Sequence, residues 1–572
     1  MPEVWCGSEW TIFFLLILSQ SAVIDCWKRL NYKRFRQLNF SAPASVYRVD
    51  GKFSGEDESM FARIFSGGLV GIDACRIEVE VDVGGGLGQI FLVGLPDTAV
   101  KESQERVRAA IKSCQFLMPA GKKWVVNLAP ADMKKEGPSY DLPIAIGVLA
   151  ATGLIPREDL NKLWFLGELS LDGSVRPVAG VLPIAVAARQ HGAEGIVVPD
   201  VNAEEASLVD GLKVYPVSHL KQVCDLARDR SAATVLKFEA REAYERLQRR
   251  LRLEIDFRDV KGQVHAKRAL EIAAAGHHNV LMVGPPGSGK SMLAQRLPTI
   301  MPPLSFDEAL EVTKLYSVAG LLADRKSLMS ERPFRSPHHT ASAVGLTGGG
   351  SVPRPGEISL SHKGILFLDE LTEFPRSHLD TLRQPLESRL ITISRAAQTL
   401  TYPASFLLIG ACNPCPCGYR GDQVKYCACT PNQADRYWSR LSGPFLDRVD
   451  LHVEVSRLAE EELSASAESE SSEVIRLRVE RAVERQHARA ADQGRFTYNG
   501  HMNQKQLAKF CKIDEQSRSI LARAVNQLGL SARAYDRVLR IARTIADLAD
   551  RDQLIAADIA EAVRYRTIQR AA

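Results

Sequence analysis

The 572 residues exceed what one hydrophobic core supports, since domains run to about 100–200 residues, so the chain divides into about three or four. With 45% hydrophobic and 25% charged side chains it lies in the ordinary globular range, which excludes a fibrous, collagen-like or wholly disordered protein. The balance of 73 basic against 68 acidic residues, a formal +5, permits nucleic-acid contact without arguing for it, and eleven cysteines, five of them between Cys412 and Cys429, fit a reducing compartment with one local thiol site.

The most hydrophobic run, Thr11 to Ile24, is about 14 residues, short of the roughly 20 that cross a bilayer. Glu3 and Glu9 precede it and no Lys or Arg does, which argues against a secretory signal. Regular periodicity begins at Met60, so residues 1–59 are expected to be a spurious or disordered leader, with a membrane anchor or targeting segment as the alternative. Arg76 to Val83 alternates charged and apolar residues, as a strand with one wet and one buried face does. A second strand is expected at Ile90–Val93. Asp97 can cap a helix through Cys114, with Val100, Val107 and Ile111 on one face. Strands at Trp124–Leu128 and Leu163–Leu171 alternate with apolar helices, which predicts a mixed α+β domain over 60–234. A charged helix, Arg241–Arg252, leads into buried strands alternating with helices over 235–458, the pattern of a parallel sheet. Residues 459–473 are acidic and serine-rich, as a linker is, and 474–572 contain only helical patterns.

Within the second domain the strand Val280–Val283 runs into Gly284, Pro285, Pro286, Gly287, Ser288, Gly289, Lys290 and Ser291, and then a helix. This is the setting of a phosphate-binding loop: backbone N–H groups face the phosphates, Lys290 adds a charge near the β/γ oxygens, and Ser291 can hold Mg²⁺. A buried strand, Gly364–Leu368, ends in Asp369 and Glu370, one carboxylate for the metal shell and one to polarise a water. ATP and Mg²⁺ are the expected cofactors.

With those motifs stand Phe257–Gln263, Ser336-Pro-His-His-Thr340, Asn413-Pro-Cys-Pro-Cys-Gly418, Ser442–Asp450 and Leu530–Tyr535. In their order and number they resemble the YifB/ComM family of magnesium-chelatase-like AAA+ ATPases over residues 60–572. The fold class implied is multidomain α/β: a Lon-protease-like (ribosomal S5 domain 2-like) α+β domain, an AAA+ parallel-sheet core and an all-helical C-terminal lid. The resemblance implies that Asn413, closing the strand Phe406–Gly410, is a sensor for the lytic water and that Arg448 is a finger inserted into a neighbouring subunit's site. Arg533 would be a second sensor, although Arg537 lies on the same helical face. For Arg448 the local alternative is a salt bridge with Asp447 or Asp450.

Glu136-Gly-Pro-Ser139 is similar to the segment bearing the serine nucleophile of Lon proteases, but Leu182 stands where that family's lysine base belongs. A serine without a base cannot be activated. Lys134 and Lys135 are near in sequence, yet nothing positions them. The expectation is a binding or oligomerisation role, no peptidase activity, and Ser139 as the cap of the following helix.

Cys415, Cys417, Cys427 and Cys429 form two Cys-x-Cys pairs able to converge on a structural Zn²⁺, with free thiols or a redox pair as alternatives; Cys412 is expected to be a buried thiol. Two polar insertions, Arg332–Lys363 and Glu387–Pro403, offer His338, His339, Lys363, Arg389 and Arg395 to a phosphate backbone; the second alternates like a hairpin. By resemblance such hairpins point into the channel of a hexamer. The implied function is a cytoplasmic, ATP-driven hexameric DNA motor that moves branch points in recombination or natural transformation. Its partners would be single-stranded and branched DNA, further copies of the chain and the recombinase machinery, with no membrane. The alternative is a chelatase-type or protein-remodelling ATPase.

Overall fold

A computed structural model describes residues 60–566 apart from 87–88, 120, 251–254, 323–327, 351–352, 395–398, 459–468 and 492–497. The expected leader, Arg395 and most of the expected linker therefore lie outside the described residues. Among the described residues no helix is long and apolar enough to cross a membrane.

The N-terminal domain is a seven-stranded sheet of β1 (Phe61–Val70), β2 (Asp73–Gly85), β3 (Ile90–Val93), β4 (Lys122–Ala129), β5 (Leu163–Phe165), β6 (Gly195–Pro199) and β7 (Lys213–Val217). They stand in the order β3-β4-β2-β1-β5-β6-β7. β1 and β4 run antiparallel to β2, and the remaining neighbours are parallel. The alternation in β2 does what its pattern demands: Ile77, Val79, Val81 and Val83 are buried, each contributing about 1.5–3 kcal/mol by leaving water. They pack under α1 (Thr98–Ser113), which Asp97 caps by accepting the Val100 N–H, and α2 (Asp141–Ala151), which is buried on every side. The expected strand Leu163–Leu171 is divided. Gly167 takes φ +156, so only Leu163–Phe165 joins the sheet, and Glu168–Leu169 pairs instead with Val175–Arg176.

The second sheet holds β8 (Val280–Val283), β9 (Phe334–Arg335), β10 (Ile365–Leu368), β13 (Leu407–Cys412) and β14 (Leu451–Glu454); the hairpin β11 (Leu390–Ser394) and β12 (Thr399–Pro403) lies apart from it. The five strands are all parallel in the order β9-β10-β13-β8-β14. β8, β10 and β13 are buried throughout, as an all-parallel sheet covered on both faces requires. β9 belongs to the first of the two polar insertions, Arg332–Lys363; Phe334 and Arg335 pair with Ile365 and Leu366 and make it the sheet's edge.

Two helices enter this core from opposite directions. On one side α3 (Val181–Gln190) of the N-terminal domain packs against α6 (Phe306–Ala319). On the other, α4 (Val264–Gly276) is covered by α7 (Ser472–Ala491) and α10 (Ala532–Leu548). α8 (Gln504–Phe510), α9 (Glu515–Leu528) and α11 (Ala556–Arg564) complete the helical C-terminal domain. Its apolar residues and those of β8, β13 and β14 form one continuous cluster, so this domain shares a core with one face of the sheet.

Candidate nucleotide site

Three strand ends build the site. The sheet order places β13 between β8 and β10, so the loops leaving all three converge at its carboxyl edge, where open α/β sheets bind ligands. The phosphate loop leaves β8 and enters α5 (Lys290–Arg296). Gly284 is required there, since a Cβ would stand 2.1 Å from the Val455 carbonyl oxygen. Lys290 is buried, and its Nζ donates to Gly284 O at 2.7 Å, Pro285 O at 2.9 Å and Asn413 Oδ1 at 3.3 Å. Burial pulls its ammonium below the ordinary lysine range, and the Asp369 carboxylate partly restores it. Ser291 Oγ donates to Asp369 Oδ2 at 2.7 Å. This hydroxyl and carboxylate are the hard oxygen donors that Mg²⁺ prefers.

Glu370 sits in the left-handed region at φ +49, its N–H on Asp369 Oδ1 at 2.9 Å. Its Oε2 lies 3.1 Å from Nδ1 of His339, a residue expected to face a polymer. His338 stays exposed beside it, with ring centroids 4.1 Å apart. The partnership of His339 with Glu370 has no signal in sequence spacing, because it depends on β9 lying next to β10. Cys412 is buried as expected, its thiol pushed up to about 12 by desolvation.

A second group of cations gathers at the opposite edge of the same sheet. A cleft of about 290 Å³ is lined by His277, Arg389, Arg448, Arg533, Arg537 and Arg540, among others. Asn279, which also lines it, precedes β8 and donates Nδ2 to Arg448 O at 3.1 Å, whereas Gly284 follows β8. The four residues of β8 span about 13 Å, and an arginine side chain does not cover that length. Arg448 and Arg533 therefore lie at the far end of the sheet from their own chain's phosphate loop. Arg448 pairs with neither Asp447 nor Asp450; its guanidinium takes Glu387 and the Pro444 carbonyl. Asp450 is held by Arg537 and by the Asn279 N–H at 2.9 Å. Burial alone would raise the Asp450 carboxyl; Arg537 and His278 hold it below its ordinary value. The two residues considered for the second sensor differ in their surroundings: Arg537 pairs with Asp450, while Arg533 is exposed in the cleft and makes no ion pair among the described residues.

The other proposed polymer contacts are dispersed. Lys363, at φ +58, pairs with Glu308 at 3.4 Å and Glu311 at 3.9 Å. Arg389 sits at the base of the hairpin and turns into the cleft. The hairpin buries Ile391, Ile393, Leu400 and Tyr402 and presents Thr392, Ser394, Thr399 and Thr401 outward.

At the Lon-like turn Ser139 makes no side-chain hydrogen bond to Lys134 or Lys135 among the described residues. Ser139 does not cap α2: it lies inside the short turn Pro138–Tyr140, its carbonyl accepts the Gly167 N–H at 3.1 Å, and no side-chain cap is made at that helix start. Lys134 pairs with Glu136 at 2.9 Å, and the buried Lys135 donates to the carbonyls of Pro130 and Met133. Leu182 is buried in the seam between the domains. Its N–H and the Ser317 hydroxyl both donate to Glu205 Oε1, at 2.8 and 2.5 Å.

The comparisons with known proteins agree with this architecture. Residues 256–463 match the family model described as magnesium chelatase, subunit ChlI. Residues 79–202 match the model for subunit ChlI of Mg-chelatase, and 469–566 the ChlI C-terminal model. The competence protein ComM of Haemophilus influenzae is 43% identical over 513 residues, 89% of this chain and 98% of that protein. The uncharacterized protein YifB of Escherichia coli is 43% identical over 503 residues, 88% of this chain and 96% of that protein. Lon protease 2 of Bacillus subtilis is 28% identical over 166 residues, 26% of this chain and 29% of that protein.

Proposed function

Because the chain belongs to the ComM/YifB family of magnesium-chelatase-like AAA+ proteins, we propose that it is an ATP-hydrolysing motor that works as a ring on single-stranded and branched DNA. The reading rests above all on the separation of the two cation groups. Lys290 and the phosphate loop stand at one edge of the sheet, while Arg448 and Arg533 open from the other. A phosphoryl group in flight spreads charge over its oxygens and needs cations on every side. One chain offers both halves only to two different neighbours, so the site closes when one protomer's arginine cleft meets the next protomer's phosphate loop. A hexamer is the closed arrangement expected.

In this scheme Ser291 and Asp369 would hold Mg²⁺, which would neutralise phosphate charge. Lys290 gives up its carbonyl contacts for phosphate oxygens. Asn413, now on Lys290, and Glu370, now beside His339, orient the attacking water once the phosphates are in place. Glu370 takes the proton. Arg448, released from Glu387, enters the neighbour's site.

Support for DNA as the substrate comes from the relative named a competence protein and from the hydroxyl-bearing face of the hairpin, whose threonines and serine can donate to phosphate oxygens of any sequence. The activity in view is branch migration during recombination or transformation. ATP turnover with and without single-stranded DNA, followed by migration of three- and four-way junctions, tests it. Stimulation by DNA and movement of the junction are expected. Stimulation by a porphyrin or an unfolded protein in place of DNA would transfer the reading to a chelatase-type or remodelling ATPase.

A further inference from the structure

Cys415, Cys417, Cys427 and Cys429 bring their sulfurs within 4.8 Å of one another. The Cys415–Cys417, Cys415–Cys427 and Cys417–Cys427 separations are 3.3, 3.6 and 3.5 Å, and all four thiols are free. A disulfide would bring two of them to about 2.05 Å. Four metal–sulfur bonds of about 2.3 Å in a tetrahedron instead set the sulfurs about 3.8 Å apart. The observed spacing is that of corners around a common centre. Cys429 Sγ also accepts the Cys417 N–H at 3.4 Å, the backbone support a thiolate attracts.

What this knot touches gives it a role. Asn413, the residue on Lys290, is two positions ahead of Cys415, and the Pro414 carbonyl between them accepts Trp438 Nε1 at 3.0 Å. Gly418 bonds back to the Cys415 carbonyl at 2.9 Å. It stands so close to the phosphate loop that a Cβ, already strained at φ +86, would lie 2.7 Å from Pro286 Cδ. On the far side Asp422 faces Arg457 at 3.7 Å, just beyond β14. The turn thus sits between the sensor strand and the phosphate loop, held together at its neck by the four sulfurs.

We propose that Cys415, Cys417, Cys427 and Cys429 bind one zinc ion, and that this ion sets nucleotide affinity by fixing the turn that supports Pro286 and Asn413. Soft, closed sulfur sites favour zinc over the hard ions of the phosphate site. Binding expels the thiol protons and involves no electron transfer. The proposal rests on the nucleotide reading above and goes beyond it, because the four cysteines stand outside both the phosphate loop and the Asp369–Glu370 strand end.

The test uses the full chain purified without chelators. Elemental analysis is expected to find about one zinc per chain, four thiolates making one tetrahedral site. A mercurial should release it, and a fluorescent ATP analogue should then bind about tenfold more weakly, the scale seen when support around a site is lost. Affinity should return when the thiols are regenerated and zinc is restored. Cys427→Ser should lose both metal and affinity. Gly418→Ala should keep the zinc and still weaken the analogue, which separates the turn's contact with Pro286 from general unfolding. Absence of zinc even after incubation with it, or unchanged affinity on stripping, overturns the proposal. Zinc-replete parent protein that binds no ATP analogue would instead contradict the nucleotide reading, and this inference with it.

Discussion

The phosphate loop and the turn around Ser139 carry the same kind of signal, a glycine-shaped segment ahead of a helix, and they meet opposite fates. At the phosphate loop each side chain finds its counterpart on another strand: Ser291 finds Asp369 on the loop after β10, and Lys290 finds Asn413 on the loop after β13. At Ser139 the position where the resemblance to Lon would place a lysine holds Leu182, and the helix that carries it packs against the domain of the parallel sheet. A motif is chemistry only where the residues that must act with it arrive. Where they do not, the same fold is free to serve as an interface.

The comparison can be broken by mutation. Lys290→Ala and Arg448→Ala should each lower ATP turnover by about a thousandfold, the scale attached to transition-state cations, whereas Ser139→Ala should leave turnover unchanged in a coupled phosphate-release assay. Equal losses from Ser139→Ala would show that the turn has kept a part in the reaction. Next in size, Leu182→Ala should cost about 3 kcal/mol in denaturant unfolding, because a buried leucine at a seam leaves a cavity the backbone cannot close. A change below about 0.5 kcal/mol, the range of surface substitutions, would mean that Leu182 does not join the domains.

The smallest effect sharpens the contrast at the far edge of the sheet. His278 is fully buried, with Nε2 on Thr544 Oγ1 at 2.8 Å, and faces Asp450, Arg537 and Arg540. Burial outweighs Asp450 and lowers its imidazolium from 6.5 to about 4. Since the folded state disfavours the proton, its contribution is present above pH 6.5 and is lost as pH falls from there toward 4. His277, His452 and His501 are depressed in the same sense. The unfolding free energy should therefore slope steeply with pH in this window, and His278→Gln should flatten it by one proton. An unchanged slope would remove His278 from the set.

Much of this was readable in the sequence because it is local. The alternation of Arg76–Val83, the Asp97 cap, β8 and its loop, and the hairpin within Glu387–Pro403 each follow from residues close in the chain; the first three form as expected, and the hairpin pairs Leu390–Ser394 with Thr399–Pro403 while Glu387 and Ser388 end the preceding helix. Long-range partners were not readable. Nothing in the spacing tells that Glu387 rather than Asp450 would hold Arg448, that His339 would reach Glu370, or that Lys363 would face two glutamates. The edge strand Phe334–Arg335 was hidden among glycine, proline and histidine because two residues carry no periodicity. Gly167 divided a run that looked continuous because the break lies in a backbone angle and not in hydrophobicity.

The central claim is that one chain's arginine cleft completes the next chain's phosphate site. Mixing Lys290→Ala protein with Arg448→Ala protein measures this directly, because in a mixed assembly an Arg448→Ala protomer keeps an intact phosphate loop and can receive Arg448 from its neighbour. Each variant alone should be inactive, and the mixture should regain ATP turnover as the two exchange subunits. A mixture that exchanges subunits yet stays as inactive as either variant alone would contradict the account.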